Sequence, residues 1–232
     1  MSGEGVMSYW LDKWVAGDTK WHESEVNPYF KEYFPKLCKK SSQGSCKTLL
    51  PLCGKSLDLK WISEQGCEVF GVECSKLAIE SFFQEHGLKF EITNLAGSDV
   101  YKCLNQPITI YCCNFFLFPS IVGQGVTFDF IWDRGSFVAI EKSDRKRYAE
   151  VMLALMRPGS VHLIEAFDYD VGDGCFEGPP RSLPFKEVQK LFGDACDYEL
   201  LDVLDKTELG RQRFNCNFSS FKVGYYHGVC KK

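Results

Sequence analysis

No pair of cysteines in this chain is spaced Cys-x-x-Cys, and no Cys/His cluster has zinc-finger spacing, although 12 of the 232 residues are cysteine. The usual signature of a structural zinc module is therefore missing, and no metal is expected. The cysteines are scattered. Cys112 and Cys113 are neighbours in a strand pattern, where side chains point to opposite faces. They read as small buried apolar residues, and the set as a whole suits a reducing compartment. There is no apolar run long enough to cross a bilayer, no signal peptide and no lipidation motif, so a cytosolic protein without a membrane partner is expected. A cationic surplus is missing too. Lys and Arg number 27 against 31 Asp and Glu, for a net charge of -4, which lacks the field that a nucleic-acid binder needs. No internal repeat is visible. What is present is a 45% hydrophobic, 15% aromatic composition able to bury a substantial core, at a length suited to one large α/β domain over residues 1–232.

The most informative stretch is Thr48 to Ser75, which reads as strand, tight turn, helix, strand, acidic tip. Thr48–Leu52 is a short apolar run broken by Pro51, and Cys53-Gly54-Lys55-Ser56 turns the backbone. Leu57, Trp61 and Ile62 follow at helical spacing, with Gly66 closing the helix. Val69–Val72 is a buried-strand pattern with Glu73 at its carboxyl end. In doubly wound sheets a carboxylate about 20 residues past the first turn hydrogen-bonds ribose hydroxyls, and Gly54 to Glu73 fits that spacing. The turn holds one glycine where a dinucleotide fingerprint needs three. Without the close approach that three glycines give a pyrophosphate, a nicotinamide oxidoreductase is excluded. A nucleoside ligand lacking pyrophosphate is favoured, and S-adenosylmethionine (SAM) is one. The alternative is a structural strand–helix–strand unit with a surface glutamate.

Elsewhere, residues 1–7 read as loose. Trp10 and Trp14 share a helix face, and Gly17-Asp18 breaks that helix before Trp21-His22. This stripe is either a docked amphipathic helix or an aromatic lid over a cationic sulfonium. Asn27–Lys39 reads as a helix, Lys39–Lys47 as a polar loop, and Ser75 as the N-cap of a helix over Lys76–His86. Residues 89–106 hold a possible hairpin at Val100–Cys103. Strands are expected at Ile108–Cys113 and at Phe128–Trp132, the latter finished by Asp133-Arg134-Gly135. Ser143 is expected to cap a helix that Arg157-Pro158-Gly159 ends. Val161–Phe167 is a strand, 168–183 a long connection rich in Asp, Gly and Pro, and Pro184 opens a short helix to Phe192. Strands at Glu199–Leu204 and Phe214–Tyr226, around a charged turn, close the chain. The alternation predicts a Rossmann-like, mostly parallel, seven-stranded sheet with an antiparallel edge hairpin.

Four pieces together resemble the thiopurine S-methyltransferase family, whose members are cytosolic SAM-dependent enzymes of the class I methyltransferase fold. They are Trp10-Leu-Asp-Lys-Trp14-Val with Trp21-His22; Pro51-Leu-Cys-Gly-Lys55 through Lys60-Trp61; Phe70-Gly-Val-Glu73; and Ile131-Trp-Asp-Arg134-Gly with Asp144-Arg145-Lys146. Tyr111-Cys-Cys113 and Leu191-Phe-Gly193 add to the match. The resemblance implies that residues 1–22 form an aromatic lid, with Trp10, Trp14 and Trp21 closing over SAM and Trp21 bordering the acceptor. It places Leu52 and Gly54 at the methionine end, Glu73 on the ribose, Asn114 and Phe115 beside adenine, and Arg134 at both cofactor and acceptor, as the catalytic residue. Three departures stand out. Trp21 replaces a phenylalanine-like position and would narrow the pocket. Leu117 replaces an aspartate after the adenine-flanking pair. The segment Glu208–Asn217 matches poorly, so a second acceptor-binding arginine is Arg213, Arg211 or neither.

The implied activity is transfer of the SAM methyl group to the sulfur of small aromatic or heterocyclic thiols, leaving S-adenosylhomocysteine, by a monomer in xenobiotic metabolism. An anionic thiolate needs no strong base, and Arg134 can stabilise it without titrating. Arg134 could instead serve only as an ion-pair partner of Asp133 or Asp129. Asp133 reads as a supporting partner or helix cap, His22 as structural, and Lys13 and Lys55 as solvated. The rival readings are a relative acting on halide, bisulfide or selenium compounds and a catalytically silent SAM-binding protein. Asn114-Phe115-Phe116 lacks the prolines of the base-amine methyltransferase motif.

Overall fold

A computed structural model of the protein describes residues 3–38, 45–171, 176 and 178–231. Three expectations fall partly outside these residues: the loop 39–47 at 39–44, the connection 168–183 at 172–175 and 177, and the lid segment at residues 1 and 2. The chain divides into two compact units, Met1–Phe130 and Ile131–Lys232.

The first unit opens with α1 (Gly3–Val15) and α2 (Pro28–Leu37). Helix α1 begins inside the stretch expected to be loose. Asn27 caps α2 by accepting from the Phe30 N–H at 2.9 Å, and Pro28 occupies the first turn, where its missing N–H costs nothing. Then follow β1 (Lys47–Leu50), α3 (Leu57–Glu64), β2 (Glu68–Glu73), α4 (Lys76–Glu85), β3 (Phe90–Leu95), β4 (Ser98–Cys103), β5 (Ile108–Cys112), α5 (Phe118–Val122) and the first half of β6 (Phe128–Arg134). Strand order is β3-β4-β5-β2-β1-β6. The β1–β2 and β2–β5 pairs are parallel, with Leu50 opposite Gly71 and Glu73 opposite Cys112. The β3–β4 and β4–β5 pairs are antiparallel, and β3–β4 is a hairpin whose second strand covers the expected Val100–Cys103. Phe30, Phe34, Trp61 and Phe130 pack together, mostly edge to face, with ring centroids 5.0–6.3 Å apart.

The second unit takes the rest of β6, then α6 (Arg145–Ala154), β7 (Met156–Val171), α7 (Phe185–Phe192), β8 (Cys196–Asp205), α8 (Thr207–Phe214) and β9 (Phe218–Cys230), in strand order β6-β7-β9-β8. Strand β9 runs antiparallel to both β7 and β8.

Several expectations are corrected. Among the described residues nine strands form where seven were expected, because the polar run 89–106 pairs as β3 and β4 despite its exposed face. Four of the six described pairings are antiparallel, so the sheet is mixed rather than mostly parallel with one antiparallel edge. Asp144, not Ser143, precedes α6. Arg157-Pro158-Gly159 lies within β7, where the Arg157 N–H donates to Ser160 Oγ at 2.9 Å. The charged turn between the last strands folds as α8, ended by Asn215 in the left-handed conformation.

Candidate active site

The loop from β1 to α3 is shaped by two residues with positive φ, Leu52 at 45° and Gly54 at 51°. Such a φ is routine for glycine but strained for leucine, and strain of this kind gathers where a loop must present its backbone. Ser56 then caps α3 by accepting from the Asp58 N–H at 3.2 Å. Across from the loop, β2 delivers Glu73, 5% exposed, and Ser75 caps α4 through the Ala78 N–H at 3.2 Å. Glu73 Oε2 accepts the Gly54 N–H at 2.9 Å, and Oε1 accepts the Ser75 N–H at 2.8 Å and the Cys74 thiol at 3.5 Å. The carboxylate thus latches the turn to the end of β2. Burial pushes its pKa above the ordinary carboxylate value, against the pull of those N–H bonds. Gly71 has no side chain because Cys53 Sγ stands 2.7 Å from where its Cβ would be, so the loop folds down onto β2.

The aromatic stripe has partners within the chain. Trp21 meets Trp10 at 5.0 Å and Trp14 at 5.6 Å, both nearly perpendicular. A Cβ on Gly54 would lie 3.0 Å from the Trp14 indole, so Trp14 rests on the glycine of the turn. Trp14 is buried in this packing, with no ligand bound. Lys13 pairs with Asp18 and Lys55 with Glu85, so neither is simply solvated. Cys113 N–H donates to the Glu73 carbonyl at 3.0 Å, which sets the next residues beside the cradle. There Asn114 Oδ1 accepts from the Phe116 N–H at 3.0 Å, and Phe115 is buried in stacked contact with Phe118. Leu117 is exposed. Leu52, Gly54, Glu73, Trp10, Trp14, Trp21, Asn114 and Phe115 therefore all belong to the first unit, and Trp14, Gly54 and Glu73 form a continuous chain of contacts. That set fits a nucleoside ligand: a backbone turn that bulk would block, an aromatic wall, and a buried carboxylate with one contact on Oε2.

In the second unit Arg134 ends β6. Its Nε lies 3.4 Å from Glu165 Oε1, and the Tyr225 hydroxyl donates to Glu165 Oε2 at 2.7 Å. Glu165 is thus one partner of this arginine. Asp133 is wholly buried and accepts four bonds: Ser136 Oγ at 2.5 Å and Phe137 N–H at 2.9 Å on Oδ1, Tyr148 hydroxyl at 2.8 Å and His162 Nε2 at 3.2 Å on Oδ2. A carboxylate only accepts, so His162 Nε2 carries a proton, and Nδ1 meets the Tyr198 hydroxyl at 2.7 Å. Burial pushes the Tyr148 and Tyr198 phenols well up, which keeps both as donors. Asp129 accepts the Lys47 N–H at 2.8 Å in the first unit. Arg211 donates from Nε to the Phe218 carbonyl at 2.9 Å, and Arg213 lies over the Phe214 ring, both on the exposed face of α8. Sequence reasoning missed Tyr148, His162, Tyr198, Glu165 and Tyr225, which carry no motif and converge only through the fold.

Among known proteins, the family described as thiopurine S-methyltransferase matches residues 7–225. The thiopurine S-methyltransferase of Bos taurus is 38% identical over 207 residues, covering 88% of this chain and 82% of the relative. That of Rattus norvegicus is 36% identical over 203 residues, covering 86% and 82%. A solved structure of Burkholderia thailandensis 1,6-didemethyltoxoflavin-N1-methyltransferase, with bound 1,6-didemethyltoxoflavin and S-adenosylhomocysteine, aligns at a TM-score of 0.64 and 15% identity over 99% of this chain and 89% of that one. TehB from Haemophilus influenzae aligns at 0.58 and 15% over 90% and 64%. These likenesses concern the fold alone. The family match runs through the turn at Gly54, through Glu73 and through Arg134, and the protein belongs to the thiopurine S-methyltransferase family.

Proposed function

We propose that the chain is a SAM-dependent S-methyltransferase acting on small aromatic or heterocyclic thiols such as thiopurines, with residues 1–232 working as one methyltransferase domain. The observation that carries this is the Glu73–Gly54 latch under Trp14, found inside the family match. Gly54 and Leu52 would hold the methionine end, Glu73 the ribose through the lone pairs its backbone bonds leave, and Asn114 and Phe115 the adenine. Trp10, Trp14 and Trp21, in the lid segment 1–22, would cover the sulfonium by cation–π contact. SAM supplies a methyl group on a sulfonium, an excellent leaving group. The protein mainly has to orient the acceptor for in-line displacement and exclude water, and alignment of this kind can supply roughly 7–11 kcal/mol.

Arg134 is the proposed acceptor residue. Its guanidinium stays charged, so it favours a bound thiolate over a neutral amine. Glu165, itself fixed by the Tyr225 hydroxyl, stands on the arginine's Nε side and fixes its place at the end of β6. Arg213 is a second candidate on α8, and the Arg211 Nε is engaged by the Phe218 carbonyl. The chain is proposed to act in the cytoplasm, as a monomer, in xenobiotic metabolism. Among the described residues no helix is long and apolar enough to cross a membrane.

Labelled SAM offered with an aromatic thiol, a thiopurine, bisulfide, a selenol and an amine tests the reading. Methyl transfer to the first two is the expected result. Transfer only to bisulfide or the selenol, or SAM binding with no turnover on any of them, would replace it with one of the rival readings.

A further inference from the structure

Three thiols converge at the opposite end of β1 and β2 from the cradle. Cys46 immediately precedes β1 and Cys67 immediately precedes β2, while Cys38 ends α2. The parallel register sets Lys47 beside Glu68, and the Glu68 N–H donates to the Cys46 carbonyl at 2.9 Å, which brings Cys46 and Cys67 side by side. Cys38 Sγ comes to 3.0 Å from Cys46 Sγ, and all three sulfurs lie within 4.8 Å of one another. Cys46 and Cys67 are buried and Cys38 is half-buried. Among the described residues this is the one His/Cys/Asp/Glu group of metal-binding geometry. The cradle residues sit past the far ends of the same strands. Four residues of β1 span on the order of 13 Å, so the thiols stand apart from the cofactor site.

We propose that Cys38, Cys46 and Cys67 form a three-thiolate site for a soft monovalent metal ion, Cu(I). With a metal–thiolate bond of about 2.3 Å as the scale, three sulfurs around a trigonal ion stand about 4 Å apart. That value falls between the 3.0 Å and 4.8 Å found here. Structural zinc takes four ligands, and residues 39–44, Lys-Lys-Ser-Ser-Gln-Gly, contain no His, Cys, Asp or Glu to complete them. Soft sulfur ligands select Cu(I). On binding, the metal displaces thiol protons to solvent and no electron changes hands. A peroxide-sensing disulfide pair is the weaker reading. Sensor cysteines are solvent-accessible, whereas Cys46 and Cys67 are buried. The cluster is invisible to spacing rules because its members come from a helix end and two strand starts.

The test is anaerobic Cu(I) titration of the reduced full chain against bicinchoninate as competing chelator, with X-ray absorption to count sulfur neighbours. One Cu(I) per chain in a three-sulfur environment is expected. Cys38→Ser and Cys67→Ser should each weaken it more than about tenfold, and Cys103→Ser should not change it. Cys38 is half-buried, so Cys38→Ser carries the test if Cys67→Ser does not fold, and S-adenosylhomocysteine binding by Cys38→Ser should stay at the wild-type level. Absence of stoichiometric copper, copper retained by Cys38→Ser, or four-coordinate Zn(II) bound in preference would each overturn the proposal.

Discussion

Two carboxylates stand at the carboxyl ends of strands, Glu73 on β2 and Asp133 on β6, and their surroundings differ in kind. Asp133 accepts four hydrogen bonds, two on each oxygen, which uses all the lone-pair positions a carboxylate has. Glu73 accepts two well-formed backbone N–H bonds, with the Cys74 thiol and N–H as weaker contacts, and only the Gly54 bond is well formed on Oε2. A saturated carboxylate can only hold structure. One with acceptor capacity left, beside a glycine turn and an indole, can also hold a ligand's hydroxyl. Burial does not separate these roles, since both groups are buried, and neither does strand position. The number of donors already served does.

The largest effect expected from this contrast is on stability. Asp133→Ala strands the Tyr148 hydroxyl and His162 Nε2 in the interior and should cost about 3–4 kcal/mol in urea unfolding. A loss below about 1 kcal/mol would mean that water or rearrangement replaces the network. Next comes Arg134→Ala. It should lower kcat/KM on an aromatic thiol by a factor worth about 1.5–3 kcal/mol while S-adenosylhomocysteine affinity holds, and Arg134→Lys should restore part of it. Equal losses in binding and turnover would make Arg134 a cofactor or structural residue. The smallest effect is in pH. Because Glu73 has a raised pKa in the folded state, its contribution to stability is present at low pH and is lost as pH rises from the ordinary carboxylate value through the raised one. Wild type should therefore lose ground to Glu73→Gln across that window in parallel pH–stability curves. Curves that stay parallel would place the Glu73 pKa at its unfolded value.

How much could be read beforehand follows from the same chemistry. The strand–turn–helix–strand of 48–75 was legible because each part has a local cause: Ser56 and Ser75 as caps, Gly54 at positive φ, Glu73 at a strand end. The helix over 185–192 was legible through Pro184 and Gly193. Strands β3 and β4 were obscured because β3 is exposed along most of its length and shows no clear apolar alternation. Helix α8 reads as a turn in the sequence because its one buried residue is Gly210, which leaves no apolar face to mark it. The network on Asp133 joins residues 133, 136, 148, 162 and 198, and the Arg134–Glu165–Tyr225 set is equally dispersed. Contacts of that range leave no periodic trace in a single sequence. The tryptophan stripe was visible, but its mutual packing and the seat of Trp14 on Gly54 were not.

The most direct measurement is calorimetric titration of S-adenosylhomocysteine into wild type and Glu73→Ala, each first shown to be folded by chemical denaturation. If Glu73 holds the ribose with its remaining acceptor capacity, the variant should bind more weakly by about 1.5–3 kcal/mol. Undiminished affinity in a folded Glu73→Ala protein would contradict the account, because Glu73 would then be, like Asp133, only a latch for its own loop.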